Sequence, residues 1–406
     1  MKTPLAAIAR GILRHCCNMP VILYYKLRSM AYPGKDKYRG AWLVCERGIE
    51  AQDNGYAFFR YLRERHPDQK VYYLIDFASP DYGRVQSLGS AICYNSYEHK
   101  MALFFAARLI STHGGYMMPW SYLLFRALFR RRGSVAYVML NHGVVKDDES
   151  DVMNKRSTGF DLFMATTQPE RAWLLAHPGY GFAEKEVPLV GAPRYDYLTG
   201  GAAKRQIAFL PTWRKYLIER DPEKKNSYRL VKGFESTPYF RAISGFLGSQ
   251  RLHALLEGHG VQLIFRPHPE AQRMCPLLAS LPSCIEVATS SSTQLMDLLQ
   301  ESAMLITDYS SVAFDFAYMK KPLVYYQFDQ VEYRTKHYRE GYFSFAADGF
   351  GEVVMDEAAL LAAVETTVRG GFQMEELYQQ RVDDTFAYRD TGSCERVYQA
   401  IEEMGV

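Results

Sequence analysis

The stretch "LITDYSSVAFDFAYMKKPLVYY" (305–326) gathers Thr307, Asp308, Ser310 and Ser311 where an apolar run gives way to helical spacing. Small hydroxyls in such a place can cap the helix. The same geometry can hold a phosphate, because a helix N-terminus presents unpaired N–H groups and a positive dipole end. Four more polar clusters follow short apolar runs: "STHGG" with His113, "LNHGVV" with Asn141, His142 and Gly143, "FLPTWR" with Thr212 and Arg214, and "FRPHPE" with Arg266 and His268. Histidine is the usual general base near neutral pH, and arginine is the usual fork for phosphate oxygens. In "RPHP" two prolines fix the backbone on either side of His268. In "NHG" the glycine permits close backbone approach beside His142. Together these residue types suit a phosphate-binding site with a histidine base.

The elements that must position them alternate in a regular way. Strand candidates at 41–47, 70–76, 91–95, 107–112, 135–143 and 161–167 are separated by helical patterns such as 54–67. That alternation predicts a parallel sheet with crossover helices. A Gly-rich polar stretch at 198–206 then reads as a linker, and the rhythm restarts. Strands are expected at 207–213, 261–269 and 285–289, a helix at 239–260, and a helical tail at about 356–404. The polar clusters then fall at carboxyl ends of strands, where open parallel sheets bind ligands. The expected fold class is α/β, with two Rossmann-like domains facing across a cleft. The expected division is a basic amphipathic segment (1–39), an N-terminal acceptor domain (40–200) and a C-terminal donor domain with the helical tail (201–406).

Composition narrows the classes. The chain has 406 residues, 48% hydrophobic and 23% charged, with net charge +3, so a protein that coats nucleic acid is not indicated. Seven cysteines lack CxxC or Cys/His zinc spacing, which fits a reducing compartment. No apolar run reaches the roughly 20 residues of a membrane span. The N-terminus lacks a clean signal-peptide core because Arg10, Arg14 and His15 interrupt it. The segments 1–30 and 119–133 combine apolar residues with Lys2, Arg10, Arg14, Lys26, Arg28, Arg126 and Arg130 to Arg132, a pattern suited to anionic lipid. The expected location is cytoplasmic, peripheral at the inner face of the membrane.

Taken together, "NHGVVKDD", "FLPTWR", "FRPHPE", "TDYSSVAFD" and the "DNGYAFFRYL" of 53–62 resemble the CDP-glycerol glycerophosphotransferases, the teichoic-acid primases and polymerases and related capsule polymerases. The resemblance covers about residues 40–370. Asn141 stands where that family usually has Trp, and Val144 where it usually has Thr. The resemblance implies a fold of glycosyltransferase-B type and transfer of glycerol phosphate, or ribitol phosphate, from CDP-glycerol or CDP-ribitol to a lipid-linked or oligosaccharide acceptor. It implies His142 as base, with His113, Asn141 and Gly143 on the acceptor side. His268, Arg266, Thr212, Arg214, Thr307, Ser310 and Ser311 would face the donor phosphates, with Asp308 orienting the turn and Asp315 facing a ribose or glycerol hydroxyl. No cofactor is required by this reading, and metal dependence stays open. A nucleotide-sugar glycosyltransferase of the same fold and a non-catalytic nucleotide-binding membrane scaffold are the alternatives.

Overall fold

The computed structural model describes residues 18–129, 135–198, 203–220, 228–278, 280–289 and 292–405. Arg130 to Arg132 and the first seventeen residues, part of the expected lipid-facing charge, lie outside the described residues. The chain divides into two compact units.

The first unit carries strands β1 (Trp42–Cys45), β2 (Val71–Ile75), β3 (Ala91–Cys93), β4 (Arg108–Ser111), β5 (Ala136–Met139) and β6 (Leu162–Phe163). They form one sheet in the order β3-β2-β1-β4-β5-β6, with every pairing parallel. This is the Rossmann order. Strands β1, β4 and β5 are buried throughout, which is why they read as continuous apolar runs without alternation. Val44, Ile110 and Val138 pack with Phe58, Phe59 and Leu62 of the helix Asn54–Arg65. The strand order reverses between β1 and β4, so the ligand crevice of this unit lies at their carboxyl ends.

The second unit repeats the plan. It carries β7 (Lys204–Leu210), a small antiparallel pair β8 (Ile218–Arg220) and β9 (Tyr228–Leu230), then β10 (Gln262–Phe265), β11 (Ile285–Val287), β12 (Ser302–Thr307), β13 (Leu323–Tyr326) and β14 (Gly351–Val354). Its main sheet runs β11-β10-β7-β12-β13-β14, again parallel and again in Rossmann order. Its reversal falls between β7 and β12. Ile207, Phe209, Leu263, Phe265, Met304 and Ile306 fill the core under helices Pro238–Gly248, Gln250–His259 and Glu357–Arg369.

Three expectations change. The helix at 239–260 is two helices, because Ser249 adopts extended backbone (φ −67°, ψ 120°) after Gly248, a weak helix former. The helical tail is three helices, and its last part belongs to the first unit: Asp390 to the C-terminus joins it, whereas Gly143–Glu149 joins the second. The reason is apolar spacing. Cys394, Val397 and Ile401 share one face of the helix Ser393–Glu402 and complete the first unit's core. Asp196 fixes its start by accepting from the Ser393 and Cys394 amides, both at 2.8 Å. The third is β14, which the sequence reading omits. It is a four-residue edge strand carrying Glu352, too short for a periodic signal.

Candidate active site

In the first unit the polar residues gather at the carboxyl ends of β1, β4 and β5. Glu46 follows β1 and is buried. Its carboxylate accepts from the amides of Gln52 (3.0 Å), Asp53 (2.9 Å) and Tyr56 (2.8 Å), capping the helix Asn54–Arg65. Burial and the neighbouring Asp53 raise its pKa, against the pull of those donors. Gly55 is needed here, since a Cβ would stand 2.9 Å from Glu46 Cγ. Asn54 reaches across the crevice: its Nδ2 donates to the Asn141 carbonyl (2.8 Å) and its Oδ1 accepts from the Arg194 amide (3.1 Å). Arg194 pairs with Asp53 at 2.7 Å and donates to the His142 carbonyl at 3.3 Å.

These contacts hold the backbone that presents His142. Asn141 sits at φ +59°, a left-handed conformation that Asn tolerates better than most residues, and its Oδ1 accepts from the His142 amide at 2.9 Å. This gives a physical reason for Asn at this position. Asn141→Val is expected to destabilise the first unit by about 1–2 kcal/mol, whereas Asn141→Gly keeps the backbone conformation. Urea unfolding of both variants checks the order.

The His142 ring is exposed and stacks on His113 at 4.3 Å with 17° between planes. Surrounding protein, then Arg47 and Arg194, pull its pKa down to about 4. Solvent at the exposed ring softens this shift. Its direction, toward the neutral imidazole, is the chemically useful one. His113 is half-buried, shares a 2.8 Å hydrogen bond between Nδ1 and Thr112 Oγ1, and has a buried Nε2 with no partner. Burial and the stacked His142 lower its pKa to about 2. The structure therefore brings together His113, Asn141 and His142 from the first unit's expected set.

In the second unit the register lines up the ends of three adjacent strands. Phe265 pairs with Phe209 and Leu210 with Thr307, so Arg266 leaves the sheet beside Leu210, and Pro211 beside Asp308. Asp308 is buried. Its Oδ1 accepts from the amides of Thr212 (2.9 Å) and Tyr309 (2.6 Å). Its Oδ2 lies 2.9 Å from Arg214 Nη2.

The two arginines expected to face phosphate differ sharply. The Arg214 side chain is fully buried and engaged. Nε and Nη2 form a fork with Asp329 (2.7 and 2.9 Å), Nη1 donates to the Thr212 carbonyl (2.7 Å), and Tyr239, Tyr309 and Tyr333 lie about it at 5.0, 5.1 and 4.9 Å. Burial opposes its charge, but Asp308 and Asp329 outweigh that and raise its pKa. Arg266 is also buried, at 8% exposure, yet among the described residues it has no carboxylate partner. Its Nε has no hydrogen bond, and burial alone lowers its pKa. A buried guanidinium without a counter-charge is costly unless an anion supplies one.

Other expected residues take mixed positions. Thr307 donates its hydroxyl to the Leu210 carbonyl at 2.7 Å, inside the sheet. Ser310 Oγ accepts from the Val312 amide at 3.3 Å, just ahead of the helix Val312–Tyr318, whose N-cap is Ser311. Ser311 is packed so closely by Gly143 that a Cβ on that glycine would stand 2.4 Å from Ser311 Oγ. Thr212 Oγ1 is buried without a partner. His268 stacks on Trp213 (5.8 Å, 25°), and its Nδ1 accepts from the Glu270 amide at 3.2 Å, so the neutral ring carries its proton on Nε2. Asp315 is buried in the helix. Among the described residues, no group of three or more His, Cys, Asp or Glu is placed to hold a metal ion.

The structure also adds Glu46, Asp53, Asn54, Arg194, Asp329 and His337. The first three stand in or near the helix-start pattern, and Asp329 closes the strand "LVYYQFD". His337 gives no sequence signal. It is buried, accepts from the Lys215 amide at Nδ1 (3.0 Å), leaves Nε2 unpartnered, and stacks on Tyr333. Asp329→Ala leaves Arg214 with half its counter-charge and should cost about 3–5 kcal/mol, the usual result of breaking a buried pair. Denaturant titration of the second unit's unfolding measures it.

Each unit thus carries a Rossmann sheet with polar residues at the carboxyl ends of its strands, the first with the stacked His113 and His142 and the second with the buried Arg266. The chain belongs to the CDP-glycerol:poly(glycerophosphate) glycerophosphotransferase family, whose sequence model matches residues 27–403. It is 30% identical over 363 residues to the minor teichoic acid biosynthesis protein GgaB of Bacillus subtilis, covering 89% of this chain and 40% of that one. It is 28% identical over 225 residues to the teichoic acid ribitol-phosphate polymerase TarL of Staphylococcus aureus, covering 54% of this chain and 37% of that one. The chain thus spans less than half the length of either relative. In fold it is similar to the wall teichoic acid polymerase TagF, with TM-score 0.66, 19% identity and 98% of each chain covered. It is also similar to the UDP complex of S. aureus MnaA, with TM-score 0.55, 11% identity, and 90% and 96% covered.

Proposed function

We propose that this chain transfers glycerol phosphate or ribitol phosphate from CDP-glycerol or CDP-ribitol to a hydroxyl of a lipid-linked or glycan acceptor, releasing CMP. The product belongs to teichoic-acid or capsule-like polymer synthesis, and the two units are of the glycosyltransferase-B type. The observation that carries the reading is Arg266, buried without a counter-charge at the carboxyl edge of a Rossmann sheet. Family membership supplies the substrate class: the relatives' names specify ribitol-phosphate and glycerol-phosphate polymers.

The acceptor oxygen attacks the β-phosphorus of the CDP-alditol. An O–P bond forms, the pyrophosphate P–O bond breaks, and CMP leaves with that electron pair. His142 takes the hydroxyl proton, with His113, Asn141 and Gly143 shaping the acceptor side. Arg266, His268, Thr212, Ser310 and Ser311 meet the charge that grows on the departing phosphate, as fixed donors do in phosphoryl transfer. Asp315 receives a ribose or glycerol hydroxyl. Arg214, Asp308 and Thr307 hold the strand ends in place, because their polar atoms are already engaged by protein.

The chain works as a peripheral protein at the inner membrane face. No described helix is long and apolar enough to cross a membrane. Instead, the helix at 18–30 exposes Leu23, Tyr24, Leu27 and Met30, with Arg28 exposed beside them. Such a surface suits anionic lipid.

Calorimetric titration with CDP-glycerol, CDP-ribitol, UDP-GlcNAc and CMP-sialic acid tests the donor class. Saturable binding of a CDP-alditol is expected. Binding of UDP-GlcNAc alone would move the protein to the nucleotide-sugar transferases.

A further inference from the structure

The first unit contains a second concave site, away from the carboxyl ends of its strands. A cavity of about 280 Å³ is lined by Phe104, Phe105, Phe125 and Phe129, with Lys26 and Arg39 among its polar residues. Phe104, Phe125 and Phe129 touch one another at centroid distances of 5.2, 5.7 and 5.7 Å, making a continuous aromatic floor. The Lys26 ammonium stands over that floor, 5.7 Å from the Phe104 ring and 5.6 Å from the Phe129 ring, with no carboxylate partner among the described residues. Arg39 pairs only loosely, with the exposed Asp36 at 3.3 Å. The helix at 18–30 is anchored beside the cavity by Tyr25, packed at a tilt against Trp120 with ring centroids 5.6 Å apart, and by Asn18, which accepts from the Ser121 amide at 2.8 Å. Residues 23, 27 and 30 flank Lys26 at helical spacing, and all three are apolar and exposed, Leu27 at 68% and Met30 at 70%.

We propose that this cavity seats one anionic phospholipid of the membrane surface, with an acyl chain end on the phenylalanine floor and its phosphate held by Lys26 and Arg39. The size fits a chain end rather than a whole ligand, since complete small-molecule pockets run to about 300–1,000 Å³. Charge selects the occupant. The first seventeen residues carry Lys2, Arg10 and Arg14 and no Asp or Glu, so they match the cavity's own sign rather than complementing it. A phosphate-bearing amphiphile supplies both the apolar chain and the missing negative charge. The seat would pin the protein at one depth and orientation rather than merely hold it near the bilayer.

The inference rests on the peripheral-membrane part of the proposed function. Its test involves no transfer, so failure leaves the transferase reading standing. The probe is a brominated dihexanoyl phosphatidic acid, used as a monomer, with quenching of Trp120 as readout and Trp120→Phe as the control for signal assignment. Trp120 lies 6.0 Å from Phe104 and 6.2 Å from Phe125. Saturable quenching is expected, at least about fivefold weaker in Lys26→Glu and with the matching phosphatidylcholine, as loss of one basic contact predicts. Phe129→Ser should weaken it about tenfold through lost apolar burial. Leu27→Ser and Met30→Ser lie outside the cavity and should leave this binding unchanged while reducing vesicle binding. Non-saturable quenching, or quenching indifferent to Lys26→Glu and Phe129→Ser, would overturn the seat. So would equal loss in Leu27→Ser, which would place the lipid on the open helix face.

Discussion

Replacing His142 with alanine should lower transfer by about 10²–10⁴-fold, the usual contribution of a positioned general base, while leaving CDP-alditol affinity nearly unchanged. Surrounding protein and the Arg47 and Arg194 cations disfavour the protonated ring and hold its pKa near 4. A base must be neutral to accept a proton. Activity should therefore stay level as pH falls from 7 toward 5 and decline only as the depressed pKa is approached, not near the ordinary histidine value of about 6.5. Removing Arg47 deletes a charge that lowers this pKa, so Arg47→Ala should move the acid limb to higher pH. A pH–rate profile of wild type and Arg47→Ala, with single-turnover rates for His142→Ala, covers both points. Unchanged turnover in His142→Ala would remove the histidine from the base role.

Replacing Arg266 with glutamine should have the other large effect, and of a different kind. The guanidinium is buried and has no counter-charge among the described residues. Burial of this charge without a protein counter-charge is unfavourable, and donor phosphate relieves it. Arg266→Gln should lose donor affinity and about 10²–10³-fold in rate, comparable with the loss of one fixed donor to a developing oxyanion. It should not cost stability, because an unpaired buried charge has been removed. Arg214→Gln gives the contrast. There the substitution strands Asp308 and Asp329, so the loss appears first in unfolding free energy. Parallel donor titration and urea unfolding of the two variants separate a binding arginine from a structural one. Equal destabilisation by both would show that Arg266 has a structural partner after all.

Much of the fold and site is legible in the sequence, and what is hidden is hidden for definite reasons. Fully buried parallel strands leave uninterrupted apolar runs, so the strand candidates of the first half all fall on strands, and the polar residues at their ends stood out. Two things were not readable. Sequence position does not reveal where a side chain finds its partner. Arg214 and Arg266 look equivalent after "FLPTW" and "LIF", and only the carboxylates of Asp308 and Asp329, the latter 115 residues from Arg214, distinguish them. A short apolar helix does not announce which core it completes either. The pattern of Cys394, Val397 and Ile401 identifies a helix, while the preference for the first unit comes from Asp196 and a hydrophobic surface nearly two hundred residues earlier. The exchange of Gly143–Glu149 has the same origin. Gly143 packs on Ser311, and Asp147 pairs with Arg334 at 2.5 Å. His337 illustrates the limit most simply, since a histidine between lysine and tyrosine carries no pattern at all.

The proposed reaction transfers an alditol phosphate with CMP as the leaving group. The most direct measurement is CMP release from CDP-glycerol and from CDP-ribitol by the purified chain, with and without a lipid-linked glycan acceptor. Acceptor-dependent CMP release from one of the two, absent in His142→Ala, is the predicted result. No CMP from either donor, with UDP released from a nucleotide sugar on the same acceptor, would contradict it.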